Sequence, residues 1–340
     1  MSVRLVAVVG AGVAGLSCAQ RLRRAGRHVV LFDKGRRPGG RVSTRRAGEL
    51  RFDHGAQFFT ARDPRFAELV ARLERDGAVA RWQGPFATLR DGERGDDPRR
   101  DAVRYVGTPG MSGLARVLAA DLDVRVGVRV DRVLRHGDGY VLELQPHGDD
   151  AVRREGPFDE VVVTAPPRQA AELLRDVDGD ARLAAEQQSG ALMPSLCAMA
   201  AFERPLPGAD GGMFVLDDEV LGWAAHDGGK PGRGGAWTYV LHGAAVWSLA
   251  NYERPAADYA RDLLAAFGRA LAIDAAAMPA PTHLTGHRWG YALAAGDPPP
   301  QPFVLQPDGL AVCGDWLGGG RVEGAFVSGL ELGDALSCRS

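Results

Sequence analysis

The sequence predicts a two-domain α/β chain, a parallel βαβ domain joined to a domain built on a mixed or antiparallel sheet. Three observations carry this. An apolar run, a glycine-rich turn, a helical stretch and a second apolar run succeed one another within residues 4–34. From about 170 to 285 short apolar runs alternate with glycine-rich loops instead. At 340 residues, the chain is long enough for each half to bury its own core.

In order, Leu5 to Val9 reads as a buried strand, about Ala14 to Ala25 as a helix, and "HVVLFDK" as the next strand. In "TARDPRFAELVARLERDG", Asp63 is a helix N-cap and Pro64 the first helical residue. Phe66, Leu69, Val70 and Leu73 follow at helical spacing, and Gly77 stands past the end. Residues 90–101, "RDGERGDDPRRD", read as a solvated loop or an ordered lid. "TPGMSGLARVLAADL" reads as a helix, with strands at "VRVGVRVDRVLR", "YVLELQ" and "FDEVVVTAPP". The second region offers strands at "SLCAMAAFE", "GMFVL", "LGWAAH" and "WTYVLHG" and a helix from Ala256 to Ala272. "LTGHRWGYALA" is expected to lead back to the first domain, where "LAVCGD" and a helix from about Val322 close the chain.

A net charge of −2 with 25% charged residues spread along the chain gives no field to hold nucleic acid or an anionic membrane. The expected partner is a small molecule. Cys18, Cys197, Cys313 and Cys338 have neither CxxC nor zinc-type spacing and read as free thiols in a reducing compartment; no metal site is expected. No run approaches the roughly 18 apolar residues of a membrane span, so a cytoplasmic protein is expected, with a monomer as the default.

Gly10, Gly12 and Gly15 form GxGxxG between strand and helix, where glycines allow a tight turn and bring a pyrophosphate close to the helix N-terminus. Asp33 ends the following strand, about 20 residues on, where a carboxylate can accept from ribose hydroxyls. The pair points to an adenine dinucleotide, NAD or FAD. Gly39 and Gly40 before Arg41 suggest a second close backbone approach beside a cation, with a basic surface loop as the competing reading. In "DHGAQFFTARD", Gly55 and Ala56 would admit a planar ring and Gln57 would bond its polar edge, flanked by Phe58 and Phe59; a buried core strand explains the same residues.

The C-terminal "CGDWLGGGRVEGA" fails as a second phosphate loop, because Glu323 stands where a third glycine is needed. Asp315 and Glu323 would also set two carboxylates around a diphosphate. Asp315 at a strand end suits a polyol, and a helix starting near Val322 would aim its dipole at an anionic ring edge. Both favour FAD over NAD.

"GAGVAGLS", "GGRVSTRR", "DHGAQFFTARDPRF", "VGTPGMS", "HRWGYA" and "CGDWLGGGRVEGAFVSG" together resemble, in order and spacing, the renalase family of FAD-dependent oxidoreductases, within the flavin amine oxidase superfamily. The resemblance implies a discontinuous Rossmann-like FAD domain (1–62, 104–168 and 284–340) under a mixed-sheet substrate domain (63–103 and 169–283). It implies that Gly10, Gly12, Val13 and Gly15 line the pyrophosphate, Asp33 and the adjoining Lys34 the adenosine ribose, Gly40 and Arg41 the central region, and Val130 the adenine half. Gly55, Ala56, Gln57, Phe58 and Phe59 would line the isoalloxazine, with Asp315 on the ribityl chain and Val322 at the ring edge.

The resemblance further implies oxidation of 2- and 6-dihydro isomers of NAD(P)H to NAD(P)+, with electrons passed to dioxygen to give hydrogen peroxide. Hydride leaves a dihydropyridine as its ring becomes aromatic, so no catalytic acid or base is expected and positioning carries the rate. His287, Trp289 and Tyr291 fall on one face of a strand by alternation and are the positioning candidates, with Arg321, and more weakly His242 and Trp247. A core strand with a satisfied histidine is the bland alternative. Lys34 and Lys230, the only lysines, are read as badly placed to hold a water at the flavin as amine oxidases do. The other functions in play are an amine or C–H oxidase and a non-catalytic flavin redox sensor reading through 90–101.

Overall fold

The computed structural model describes residues 4–97, 99–148 and 151–339. Its first layer is a six-stranded sheet in the order Phe303–Leu305, Leu310–Cys313, Glu160–Val163, Leu5–Val9, His28–Asp33, Asp123–Val126. All neighbours are parallel except the edge strand Phe303–Leu305. Parallel strands bury both faces, and Leu5–Val9 does so by alternation. Val6 and Val8 enter a core shared with the helices Val13–Arg24 and Arg321–Ser337. Ala7 and Val9 enter another, shared with Val133, Tyr140 and Phe158 of a three-stranded sheet and with Ala170 and Ala181 of two short helices.

The stretch read as one strand, "VRVGVRVDRVLR", splits at Gly127, whose φ of 71° is open to glycine. Asp123–Val126 stays in the parallel sheet, while Val128–His136 starts the three-stranded sheet with Gly139–Pro146 and Arg153–Phe158.

The second layer is a seven-stranded sheet in the order His283–Ala294, Leu192–Ala201, Thr238–Gly243, Leu221–His226, Gly212–Val215, Phe86–Arg90, Glu93–Asp96. It is antiparallel apart from the pairing of Gly212–Val215 with Phe86–Arg90. The helix Ala256–Ala270 covers one face through Tyr259, Leu263 and Phe267.

Packing moves the expected division of the chain at three places. Pro64–Arg75 forms as read, with Asp63 accepting from the Arg65 N–H, but it packs into the first core, Phe66 lying 4.9 Å from the Phe326 ring. Pro167–Leu173 and Asp180–Gln187 lie under the parallel sheet. His283–Ala294, expected to rejoin the first domain, instead pairs with Leu192–Ala201. Periodicity identifies each element and its apolar face but not the partner that covers it. Residues 90–101, expected as a loop or lid, hold the outer part of a hairpin of Phe86–Arg90 and Glu93–Asp96; Pro98 lies outside the described residues.

Candidate active site

Between the two layers lies a cavity of about 1620 Å³, larger than the ~300–1,000 Å³ of a site for one drug-sized ligand. Its floor gathers the carboxyl ends of four parallel strands, at Val9, Asp33, Thr164 and Asp315, where open α/β sheets bind ligands.

The three glycines of the first loop are required for three different reasons. At Gly10, with φ 110°, a Cβ would stand 2.4 Å from Thr164 Oγ1. At Gly15 it would stand 2.0 Å from the Gly10 carbonyl oxygen, so this residue serves packing and, contrary to expectation, does not line the cavity. At Gly12 a Cβ would meet no protein atom within 4 Å, and Gly12 borders the cavity. Of the three, only Gly12 faces open space on the cavity side. Val13 borders the cavity beside it.

Asp33 is tied down by its own loop, its carboxylate accepting from the N–H groups of Ala11 and Gly35, each at 2.7 Å. Lys34 lines the rim and donates to Gln169. Val130 borders the same end. Arg41 and Asp315, expected to approach a ligand separately, form a two-pronged ion pair with one contact at 2.7 Å, Asp315 nearly buried and Arg41 about a third exposed. Glu323 turns away and accepts from the backbone N–H groups of Arg62 and Asp63, the latter at 2.7 Å.

Gly40, Gly55, Ala56, Gln57, Phe58 and Phe59 all border the cavity. The Ala56 N–H donates to the Arg41 carbonyl at 2.9 Å, which holds these two stretches side by side. The aromatic rings also serve the core: Phe59 stacks on Tyr105, and Phe58 lies 5.6 Å from Trp223. Val322 borders the cavity in the first turn of the C-terminal helix, which begins at Arg321, one residue before the expected start. Arg321 itself takes φ 65° after Gly319 and Gly320 at 87° and 73°. A non-glycine residue held there stores strain of the kind found at functional sites.

The roof comes from the second sheet. His287, Trp289 and Tyr291 all border the cavity, as do Arg288 and Gly290 between them, and His242 joins them; the register breaks between Trp289 and Leu293, so the expected alternation stops short of Tyr291. Trp289 donates its indole N–H to the His54 carbonyl at 2.7 Å, and the His287 ring packs 4.6 Å from His54 and 4.5 Å from Trp289. Burial, then neighbouring positive charge, pushes these imidazoles down: His54 to about 3, His242 and His287 to about 4. They are neutral polar groups at neutral pH. Trp247, with His242 one of the two weaker candidates, packs against the core between the second sheet and the helix Ala256–Ala270.

Several lining residues carried no signal in the sequence: Ser195, Phe214, Trp223, Tyr252, Arg99 and Arg104. Arg104 is buried, paired with Asp97 at 2.6 Å and lying 4.0 Å over the Phe86 ring. Lys230, read as stranded in a glycine loop, is fully buried behind Gln57 and donates to its side-chain oxygen at 3.2 Å. Its pattern, "HDGGKPGRGGA", looks solvated; the nearest carboxylate, Asp227 at 2.6 Å, belongs to the same stretch, but nothing local reveals Gln57, or Asp53 at 3.9 Å, both far away in sequence.

The family profile of flavin containing amine oxidoreductases matches residues 98–335, and that of NAD(P)-binding Rossmann-like domains matches 8–73. The chain belongs to the flavin-containing amine oxidoreductases. Its fold is similar to that of a protein from Exiguobacterium sp. 255-15 assigned as a protoporphyrinogen oxidase, at 13% identity, TM-score 0.74 and 99% coverage of both chains. It is also similar to putrescine oxidase, at 17% identity, TM-score 0.69 and coverage of 99% of this chain and 100% of that one. Over 73 residues it is 41% identical to phytoene desaturase of Cercospora nicotianae, 21% of this chain and 12% of that protein. A match to a flavin-containing monoamine oxidase assignment in Mycobacterium tuberculosis, AofH, is 36% identical over 93 residues, 25% of this chain and 20% of that one. The chain thus spans a small fraction of the curated relatives it matches.

FAD, held non-covalently, is the cofactor of this flavin-dependent oxidoreductase. The residues present fit it. The cavity is long enough to run from Val130 to the roof, its floor offers backbone N–H groups at an unobstructed Gly12, and Gly55 is held against Arg41, where a Cβ would stand 2.1 Å from the Arg41 carbonyl oxygen.

Proposed function

We propose that this oxidoreductase oxidises dihydronicotinamide dinucleotides reduced at the 2- or 6-position, returning NAD(P)+ and passing the electrons to dioxygen. The observation that carries this reading is the charge of the roof. Among the described residues, the lining on the roof side includes Arg99 and Arg288 from the second sheet and its connections, Arg62 and Arg321 from the first layer at its edge, and Arg104, which Asp97 neutralises, with no carboxylate among them. The lining acids, Asp33, Asp131, Glu172 and Asp315, belong to the floor and the adenine end. A cationic amine would be desolvated there without a counter-charge, at a cost of several kcal/mol. A diphosphate would find guanidinium groups suited to it.

On this reading, Gly10, Gly12 and Val13 hold the FAD pyrophosphate, Asp33 and Lys34 the adenosine ribose, Val130 the adenine, and Gly40, Arg41 and Asp315 the central and ribityl portion. Gly55 to Phe59 and Val322 hold the ring. When bound, FAD supplies a hydride acceptor that dioxygen can reoxidise. Loss of hydride from a dihydropyridine breaks one C–H bond, leaves an aromatic pyridinium and frees no proton, so the chain has to supply geometry instead of a base. His287, Trp289 and Tyr291 present a flat, uncharged wall for the ring, with His242 at its side, and Arg321 faces the phosphates.

The test is anaerobic mixing with 2- and 6-dihydro-NAD(P), ordinary NADH, putrescine and coproporphyrinogen, followed at the flavin absorbance. Fastest bleaching by the isomeric dihydronicotinamides, with peroxide on return to air, is expected. Bleaching by an amine or a porphyrinogen in their place would refute the substrate; bleaching by no donor, with one redox form selecting a protein partner, would favour a sensor.

A further inference from the structure

In the wall of the cavity beside Phe58, one side chain has the surroundings of a bound ligand. Arg104 is 3% exposed and paired at 2.6 Å with Asp97, itself 2% exposed. Its guanidinium lies 4.0 Å from the centre of the Phe86 ring, 5.3 Å from that of Phe58 and 5.8 Å from that of Phe214. Aromatic faces gathered around one point are a means of recognising a cation, and a carboxylate strengthens it. The rings come from separate elements: Phe58 packs on the first core, while Phe86 and Phe214 stand on neighbouring strands of the second sheet. At Gly212, the residue opposite Phe86, a Cβ would stand 2.7 Å from the Phe86 ring, so the sheet is cut away to admit it.

Asp97 is equally committed. Its Oδ1 accepts from the Arg99 N–H at 2.9 Å, while its Oδ2 meets Arg104 as a charge contact without hydrogen-bond alignment. Arg104 in turn donates to the Arg99 carbonyl at 3.1 Å. Phe58, Phe214 and Arg104 itself border the cavity, so truncating Arg104 would open this seat to a small molecule. Stability alone does not call for arginine here. A buried ion pair regains little more than its desolvation, and an apolar side chain of like volume would serve as well. What only a cation can do is satisfy the carboxylate and the ring faces together. Left empty, they would draw an alkylammonium or alkylguanidinium from the cavity; filled, they offer it a neutral surface.

We propose that Arg104 is a specificity-determining residue: tethered to the chain, it occupies a seat whose chemistry fits a substrate cation, and so withholds that seat from amines. Its part in excluding amines rests on the function proposed above, whereas the seat rests on the contacts of Arg104 alone.

Arg104→Ala deletes an ethylguanidinium group, so ethylguanidinium is the probe and ethylurea, its uncharged isostere, the control. Both are titrated by calorimetry into the FAD-loaded protein. Arg99→Gln accompanies the truncation, because the Arg99 guanidinium lies 5.6 Å from the Phe214 ring and could move into the gap; Arg99→Gln alone is the reference. Against that reference, ethylguanidinium should bind the truncated protein roughly tenfold more tightly or better, the range of a desolvated cation–π contact. Ethylurea should show no such gain. Butylammonium should gain as ethylguanidinium does, and a further Asp97→Asn should abolish both gains. An equal gain for ethylguanidinium and ethylurea would reveal a mere hole, and no gain for either a wall that closes without Arg104; each overturns the proposal. If the truncated protein is insoluble, recovery of folded protein with ethylguanidinium but not ethylurea supports the seat, and recovery with both or neither overturns it. The two readings fail separately. A cation preference in the variant, with no reduction of the flavin by isomeric dihydronicotinamides in the unaltered protein, keeps the seat and removes the substrate; fast reduction by them, with no cation preference in the variant, does the reverse.

Discussion

Gly12→Ala separates a requirement of the fold from a requirement of the cofactor. Gly12 sits at φ −76° and ψ −179°, which any residue adopts, and a Cβ there meets no protein atom within 4 Å. Two small effects then compete in the apoprotein. Alanine lowers the entropy of the unfolded chain, stabilising the fold by roughly 0.4–1 kcal/mol, but it is a worse N-cap than glycine by about 0.5–1 kcal/mol. The net change should be within about 0.5 kcal/mol of zero. The methyl group instead occupies the side from which a diphosphate reaches the helix N-terminus. Losing one charge-assisted hydrogen bond there costs about 1.5–3 kcal/mol, or roughly ten- to a hundredfold in Kd. The assay is FAD titration of flavin-stripped protein by fluorescence quenching, beside thermal unfolding of the same apoprotein. Unchanged FAD affinity would show that the pyrophosphate does not pass Gly12, and an unfolded apoprotein would show that the glycine serves the fold. Gly15→Ala is the contrasting control: its Cβ would lie 2.0 Å from a backbone oxygen, so loss of soluble, folded protein is expected.

Asp315→Ala leaves Arg41 without its two-pronged partner and should cost ~2 kcal/mol after allowing for Arg41's contact with water. FAD retention through gel filtration should fall with it; a fully loaded variant would remove Asp315 from the cofactor site. Stability should decline as pH falls from about 6.5 toward 4, because His54, His242 and His287 are held below 6.5 in the folded protein and take up protons on unfolding. Asp227, whose carboxyl is held up, works in the opposite sense. His242→Gln with His287→Gln should flatten the slope of Tm between pH 7 and 5, and an unaltered slope would mean that other groups set it. Cys18, Cys197 and Cys313 are buried with their thiols pushed up, while Cys338 is exposed. A thiol-reactive dye should therefore count one fast equivalent in the native protein, lost in Cys338→Ser.

What could be read from the sequence was what neighbouring residues specify together. Strand, glycine turn and helix at residues 5–24 are local, as is the Asp63 cap; the alternation expected to put His287, Trp289 and Tyr291 on one face is interrupted past Trp289 by a bulge that depends on the partner strand. What escaped depends on pairing across the chain. Nothing near Lys230 tells of Asp53 or Gln57, and nothing near Arg41 tells that Asp315 will take its guanidinium. His283–Ala294 has the pattern of a strand, but whether it closes one sheet or the other is decided by Leu192–Ala201. Gly15 was assigned to the ligand because it belongs to the motif, yet its smallness answers to Gly10.

The roof without carboxylates also bears on how fast the site fills. Guanidinium groups at Arg62, Arg99, Arg288 and Arg321 line the cavity and are exposed, and a field of one sign accelerates the encounter with an ion of the other. The second-order rate of flavin reduction by a phosphate-bearing donor should therefore drop as salt shortens the Debye length from about 30 Å at 0.01 M to about 10 Å at 0.1 M. An uncharged donor of the same ring chemistry, having no field to follow, should react at a rate independent of salt.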